Sequence, residues 1–186
     1  MNKEFERFKQ WLSLNYSDGL IDLNPPATDY EIEELTKILG VELPSDFLNV
    51  LRTHNGQKGE SAWLFDSQEF LSTHRIIEEF NTWKNLLNTQ LQGKSSTPDE
   101  GVKNDWWNTN WIPFTSDGCG DHYCLDLSPT NTGTKGQIIT LWYESSEREI
   151  VAPSFSLWFE EYVEQLYSGE LIYSEEYNSI VYKDEL

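Results

Sequence analysis

Basic residues are scarce in this sequence, and their scarcity excludes several classes of partner. Only 13 Lys and Arg accompany 32 Asp and Glu, so the formal net charge is −19 at pH 7. Nucleic acid phosphates and anionic membrane surfaces both bind through Lys and Arg, so we expect no nucleic acid and no membrane as partner. The acidity either keeps the protein soluble or attracts a basic protein partner and speeds their encounter.

Cysteines and long apolar runs are also rare. Two cysteines in 186 residues do not make a disulfide framework and fit a reducing compartment. No stretch approaches the roughly 18 apolar residues of a membrane span, and the charged start, MNKEFERFKQWLS, lacks the apolar region of a signal peptide. The terminal KDEL matches an endoplasmic reticulum retention signal, which acts only on proteins already in the lumen. We therefore expect a cytoplasmic protein.

Aromatic residues, by contrast, are abundant. They make up 14% of the chain and include eight tryptophans, whereas disordered chains are poor in large apolar side chains. The length is sufficient for one domain with its own hydrophobic core. We therefore expect a single folded domain.

The first half of the chain has helical periodicity. Thr28 followed by Glu31 is a capping-box pattern, Gly40 is a typical helix end, and Ser72 is a candidate N-cap. A short strand is expected in SAWLF, residues 61–65. The predicted helices run over residues 2–16, from Thr28 to Gly40, from about Ser45 to the HNG at 54–56, and over 73–91.

The second half changes to short β-type segments. WIPFTS, DHYCLDL, GQIITLWY and EIVA are rich in β-branched and aromatic residues, which is typical of strands. A helix is predicted over residues 154–168, and it is followed either by two short strands around a turn or by an ordered tail. Helices followed by an antiparallel meander and a further helix indicate an α+β fold.

The stretch WIPFTSDGCGDHYCLDL, residues 111–127, contains both cysteines and one of the three histidines. Gly118 and Gly120 suit a tight turn between two strands, which Asp117 can close. In the following strand, alternation puts Tyr123, Leu125 and Leu127 on an inward face. The other face and the turn then form an exposed edge that carries Asp117, Asp121, His122 and Asp126.

Chemical roles for this stretch are weaker alternatives. Cys119 or Cys124 with His122 lacks a recognisable nucleophile signature, and Cys-x2-His-x-Cys offers three zinc ligands where a structural site needs four. Paired carboxylates can hydrolyse glycosides, but nothing in the sequence indicates a cleft. The paired Trp106 and Trp107 are either buried or exposed as partner contacts.

Three segments taken in order carry a family resemblance: EIEELTKILGVELPSDFLNVLRTHNGQ, the segment from Trp106 to Tyr143, and IVAPSFSLWFEEYVEQLYSG. Together they resemble the SUKH superfamily, which includes yeast cell-wall assembly regulators of the Smi/Knr type and many bacterial immunity proteins. The matching positions are Gly118, Gly120, Asp121, Asp126, Pro153 and Trp158, whereas Cys119 and His122 depart from the usual small or apolar residues. The resemblance implies one α+β domain with a central antiparallel sheet and helices packed around it. It also implies that the domain acts by binding other proteins, without catalytic residues.

These observations lead to one interpretation of the chain. We expect residues 1–24 to form an N-terminal helical extension, 25–175 a SUKH-like domain, and 176–186 a C-terminal tail able to add a strand to the same domain. We expect a non-enzymatic immunity protein that binds and occludes a basic toxin domain, such as a nuclease, or alternatively a regulatory scaffold of cell-wall synthesis. No cofactor and no metal are expected, and the oligomeric state is left open. The predicted partner contacts are Trp106, Trp107, Asp117, Asp121, His122, Asp126, Glu144 and Glu147.

Overall fold

A computed structural model of the chain describes residues 2–186 and confirms the α+β class. The helices are α1 (Asn2–Asn15), α2 (Ser17–Asp22), α3 (Asp29–Leu39), α4 (Ser45–Leu51), α5 (Thr73–Thr89) and α6 (Phe155–Ser168). The strands are β1 (Glu69–Phe70), β2 (Thr97–Pro98), β3 (Trp111–Pro113), β4 (Thr115–Ser116), β5 (His122–Asp126), β6 (Gln137–Leu141), β7 (Glu147–Arg148), β8 (Ile150–Ala152), β9 (Leu171–Ser174) and β10 (Ser179–Tyr182). A short 3-10 helix covers Lys183–Glu185.

The central sheet has four antiparallel strands in the order β3-β5-β6-β8. Three two-stranded ladders surround it: β1 with β4, β2 with β7, and β9 with β10. The second of these is parallel, and the other two are antiparallel. The segment WIPFTS therefore divides between two ladders, because β3 joins the central sheet and β4 turns away to pair with β1.

The helix boundaries follow from caps that the sequence encodes. The Thr28 hydroxyl accepts the Glu31 backbone N–H, while the Glu31 carboxylate accepts the Thr28 backbone N–H at 2.7 Å. Gly40 ends the same helix in the left-handed conformation, with φ of 69°. The Ser72 and Ser154 hydroxyls likewise accept a backbone N–H in the first turn of α5 and α6. The predicted capping box is confirmed, and each cap is typically worth about 1 kcal/mol.

The N-terminal helix belongs to the core of the domain. Phe5 and Phe8 of α1 are almost completely buried, and both rings contact Phe159 of α6. The Trp11 indole N–H donates to the Leu166 carbonyl at 3.0 Å. At the other end of the chain, Ile180 of β10 is buried in the same hydrophobic cluster. The predicted N-terminal extension and C-terminal tail therefore share one core with residues 25–175.

The expected strand over SAWLF is absent from the described residues, where this segment makes only isolated bridges at Trp63 and Phe65. The physical reason is a buried side chain that takes the place of a neighbouring strand. The Gln57 amide oxygen accepts the backbone N–H groups of Leu64 and Phe70 at 3.1 and 2.9 Å. Its amide nitrogen donates to the Asp22 carboxylate and the Ala62 carbonyl, so Gln57 uses its whole hydrogen-bonding capacity.

Replacement of Gln57 by alanine tests this amide as the organiser of residues 57–70. The change leaves two backbone N–H groups and Asp22 Oδ2 without the Gln57 partner, and each buried unsatisfied group costs about 1–3 kcal/mol. We expect the free energy of unfolding in urea to fall by about 3 kcal/mol in total. The matched control is Gln10→Ala on the exposed face of α1, where a change within about 0.5 kcal/mol is expected. Equal stabilities for the two variants would contradict the proposed role.

Candidate protein-binding surface

The turn that follows β4 is organised by the carboxylate of Asp117. Its Oδ1 accepts backbone N–H groups of Cys119, Gly120 and Asp121 at 2.8, 3.0 and 2.8 Å. Gly118 and Gly120 have φ of 75° and 112°, in the left-handed region where a side chain is strained. The predicted turn is therefore confirmed, and the charge of Asp117 is largely engaged by its own backbone.

Asp121 holds the far side of the same turn. Its Oδ1 accepts the backbone N–H of Tyr143 at 2.7 Å, so it ties the turn to the residues that follow β6. A cavity of about 340 Å³ lies beside this contact, and its lining includes Cys119, Asp121, Tyr143 and Glu144. The structure thus brings together two of the predicted contact residues, Asp121 and Glu144. Glu147 is also exposed.

His122 is fully buried, so its predicted place on an exposed edge is wrong. The imidazole Nδ1–H donates to the Thr115 carbonyl at 2.7 Å, and the Trp83 ring of α5 lies against the imidazole at 6.1 Å between centroids. Burial lowers the pKa of His122 and keeps the ring neutral. The buried Nε2 has no hydrogen-bond partner and lies 3.9 Å from the nearest Glu79 carboxylate oxygen.

The cysteines do not form a catalytic arrangement with this histidine. Cys119 is exposed on the turn, whereas Cys124 is completely buried. Burial raises the pKa of the Cys124 thiol, which disfavours the thiolate that nucleophilic chemistry requires. Within residues 2–186, no group of three or more His, Cys, Asp and Glu side chains is placed to hold a metal ion.

Asp126 is also buried, and its predicted exposure is wrong. Its Oδ1 accepts the Trp111 indole N–H at 3.1 Å and the Ser128 backbone N–H at 3.0 Å, and its Oδ2 accepts the Gln137 amide at 3.0 Å. Burial raises the pKa of this carboxyl, and the hydrogen bonds oppose that shift. Asp126 therefore joins β3, β5 and β6 from inside the fold and cannot contact a partner.

The paired tryptophans have different surroundings. Trp107 is 1% exposed and stacks on Trp83, so its predicted role as a partner contact is wrong. Trp106 is half-buried between two cations, with Lys94 at 5.0 Å and Arg148 at 5.2 Å from its ring. Arg148 is itself buried, and its guanidinium donates to the carbonyls of Trp106, Ser145 and Glu147. Trp106 therefore holds the loop before β3 against β7, and Trp107 packs the same loop against α5.

A second acidic surface, which the sequence analysis missed, lies where α2 meets the loop after Gln57. A cavity of about 390 Å³ is lined there by Tyr16, Asp18, Ile21, Asp22, Glu60, Tyr173 and their neighbours; we call it the acidic groove. Asp18 and Glu60 are exposed, whereas Asp22 is 3% exposed and accepts from the Glu60 backbone N–H. The described residues that line it include no Lys or Arg, although the Lys58 amine lies nearby on the Ile21 carbonyl.

The acidic groove combines charge with apolar anchors. Tyr16 and Tyr173 stack at 3.9 Å between centroids, and Ile21 is 69% exposed. Exposed apolar side chains next to charged ones are typical of protein contacts. Only part of this surface could be recognised from the sequence. Asp18 and Ile21 have the spacing of one helix face, but Glu60 and Tyr173 come from distant segments.

No helix within residues 2–186 is both long and apolar enough to cross a membrane.

Comparison with known proteins gives a consistent family match. The sequence profile of the SMI1 / KNR4 family (SUKH-1) matches residues 26–161. The chain is 24% identical over 195 residues to the cell wall biosynthesis/cell cycle regulator smi1 of Schizosaccharomyces pombe, covering 97% of this chain and 39% of that protein. It is 24% identical over 213 residues to the glucan synthesis regulatory protein of Neurospora crassa, covering 95% and 40%.

A third relative is also similar to most of the chain. The cell wall assembly regulator SMI1 of Saccharomyces cerevisiae is 21% identical over 196 residues, covering 86% of this chain and 39% of that protein. The chain therefore spans about two fifths of the length of these curated relatives.

Replacement of Asp117 tests the turn. Asp117→Ala removes one acceptor from three backbone N–H groups, and a hydrogen bond to a charged group contributes about 1.5–3 kcal/mol. We expect the free energy of unfolding to fall by about 2 kcal/mol, and by clearly less in Asp117→Asn, which keeps an Oδ1 acceptor. Urea unfolding of both variants gives the comparison, and an alanine variant as stable as the asparagine variant would contradict the prediction.

The buried carboxyl of Asp126 predicts a pH dependence of stability. Because burial raises its pKa in the folded state, the folded protein binds this proton more tightly than the unfolded chain, whose Asp pKa is about 3.9. The contribution of Asp126 to stability therefore increases as pH falls from 7 through the folded-state pKa towards that value. Asp126→Asn has no carboxyl that could take up this proton, so the stability of the native chain relative to the variant should rise on acidification.

Urea unfolding of both proteins at several pH values between 7 and 4 gives the comparison for Asp126. The compared quantity is the free energy of unfolding of the native chain minus that of Asp126→Asn. If it stays constant or falls on acidification, burial does not raise the pKa of this carboxyl.

Proposed function

The chain belongs to the SMI1 / KNR4 family (SUKH-1), and from this premise we propose that it is a non-catalytic binding module that regulates cell-wall synthesis through contacts with other proteins. The names of the curated relatives, which are regulators of cell wall or glucan synthesis, support this function better than toxin immunity. The acidic groove is the surface that we assign to the contact. The whole relatives are longer, so their activities come to this chain only as part of the proposal.

The proposal rests on the chemistry of the acidic groove. Two exposed carboxylates, Asp18 and Glu60, stand beside the exposed Ile21 and the stacked Tyr16 and Tyr173. Aromatic and aliphatic anchors supply binding energy where they are buried by a partner, and the surrounding charges select the partner and speed its approach. The groove therefore suits a basic segment of another protein.

Immunity against a basic toxin remains a second proposal, because the groove and the net charge of −19 suit a basic nuclease equally well. Nuclease toxins are basic because their substrate is anionic. A toxin gene next to the gene of this chain favours immunity, whereas its absence favours regulation.

Charge reversal in the groove tests the proposed contact. The tagged chain and the Asp18→Lys/Glu60→Lys variant are used to capture proteins from the source organism at low and high salt, and the captured proteins are identified by mass spectrometry. We expect wall-synthesis or signalling proteins to be captured by the native chain, and their affinity to fall at least about tenfold in the variant because two attractive charges become repulsive. High salt should reduce capture by the native chain.

The matched control is Glu33→Lys/Glu34→Lys, which reverses two exposed charges on α3 without touching the groove. Capture that survives in the control but not in the groove variant supports the assignment. Capture that is equal in all three proteins rules out the groove as the contact surface, and capture of a toxin domain replaces regulation by immunity.

A further inference from the structure

A smaller cavity of about 100 Å³ lies between α6 and the C-terminal hairpin and is lined mainly by aromatic rings. Four aromatic side chains from three elements surround it, together with two carboxylates at Asp66 and Glu161. We call it the aromatic pocket; its rings are those of Tyr123, Trp158, Tyr162 and Tyr182. The described residues that line it include no Lys or Arg, and none of them lines the acidic groove.

The rings of the aromatic pocket are held in place before any ligand arrives. Trp158 and Tyr162 stack one turn apart on α6, with centroids 5.8 Å apart and planes 17° apart. Tyr123 of β5 lies 5.7 Å from Trp158 at a tilt of 51°. Beneath them, the buried ring of Phe65 contacts both Trp158 and Tyr162 edge-on at 5.1 Å. A ligand therefore meets a preorganised site, which lowers the ordering cost of binding.

Asp66 is the more buried of the two carboxylates in this pocket. Asp66 follows Phe65 directly in the sequence and has a positive φ of 47°. The Tyr123 hydroxyl donates to Asp66 Oδ2 at 3.4 Å. Burial, and after it the negative charge of Asp66, raises the pKa of Tyr123, Tyr162 and Tyr182, so these three rings remain neutral at physiological pH.

Size and access restrict what can bind. The cavity is small, at about 100 Å³, so it accommodates the end of one side chain rather than a larger group. Val151 is 39% exposed and Glu161 is exposed, so the rim of the pocket faces solvent. Neutral aromatic rings around a carboxylate attract organic cations through the ring quadrupoles and the charge together.

We propose that the aromatic pocket binds the alkylammonium group of a lysine side chain, methylated or unmodified, presented by a protein partner. That the partner is a protein rests on the function proposed above, but recognition of the cation does not. The carboxylate supplies the attraction for the charge, and the rings replace the water that the cation loses on binding. Each methyl group on the amine makes this loss smaller and increases contact with the rings.

Titration with small probes tests the pocket by calorimetry, separately from any partner. The probes are the amides of N-acetyl-trimethyl-lysine, N-acetyl-lysine and N-acetyl-arginine, and the neutral tert-butyl isostere of trimethyl-lysine. We expect trimethyl-lysine to bind at least about tenfold more tightly than the isostere, because both fill the same volume but only one carries the charge. Tighter binding of trimethyl-lysine than of lysine assigns a methylated partner, and equal binding assigns an unmodified one.

Two variants locate the binding within the pocket. Asp66→Asn removes the charge but keeps a residue that tolerates a positive φ, and Tyr182→Leu removes one ring near the end of β10. Each should weaken trimethyl-lysine binding at least about tenfold. The matched controls are Asp184→Asn, an exposed acid outside the pocket, and the groove variant Asp18→Lys/Glu60→Lys. Both controls should bind as the native chain does.

Several results would overturn the proposal. These are equal affinity for the neutral isostere, binding that Asp66→Asn leaves unchanged, preference for arginine over both lysine probes, and no binding of any probe up to about 10 mM. The groove control distinguishes the two proposals. If a chain binds the probes but captures no partner, the ligand proposed for the aromatic pocket is supported and the proposed contact at the acidic groove is not.

Discussion

The ring of Phe65 is the contact on which the arrangement of the surfaces depends. It is fully buried and touches five other aromatic rings, which belong to α1, to α6 and to the segment before α5: Phe8, Phe70, Trp158, Phe159 and Tyr162. Aromatic pairs of this kind contribute about 0.5–1.5 kcal/mol each beyond the burial of their area. Because Asp66 follows directly, the same ring fixes the position of the carboxylate against α6.

Polar side chains inside the fold stabilise a loop, a turn and the central sheet in addition to the aromatic core. Gln57 supports an irregular loop as a strand would, Asp117 holds a turn, and Asp126 connects three strands of the central sheet. A chain with 32 acidic residues therefore does not offer all of them to a partner. Asp18, Glu60, Glu144 and Glu147 are exposed, and two of these four line the acidic groove.

The two proposed surfaces divide recognition into a general and a specific part. In our proposal, the acidic groove attracts basic segments through exposed charges, whose effect solvent and salt weaken. The aromatic pocket is smaller and more enclosed, and the proposed role of the pocket is to select the size and charge of one side chain. A regulator that binds other proteins needs both properties, because attraction alone does not distinguish between basic partners.

Much of the fold was determined by local sequence. Caps at Thr28, Ser72 and Ser154 mark the helix starts, glycines mark the turn after β4, and β-branched and aromatic residues mark the strands, because these signals act within a few residues. The family resemblance drawn from the same residues is confirmed by the profile match. The sequence alone also predicted that Asp117 closes the turn.

Only the tertiary structure decided which side chains reach the surface. Alternation in β5 separates the residue set of His122 and Asp126 from that of Tyr123, and this pattern predicts one exposed and one buried face. In the fold, α5 covers the first face through Trp83 and α6 packs against the second through Trp158. A strand that is covered on both faces buries both sets, and no local pattern reports a covering helix from a distant part of the chain. For the same reason the acidic groove and the aromatic pocket, each assembled from distant segments, exist only in the folded protein.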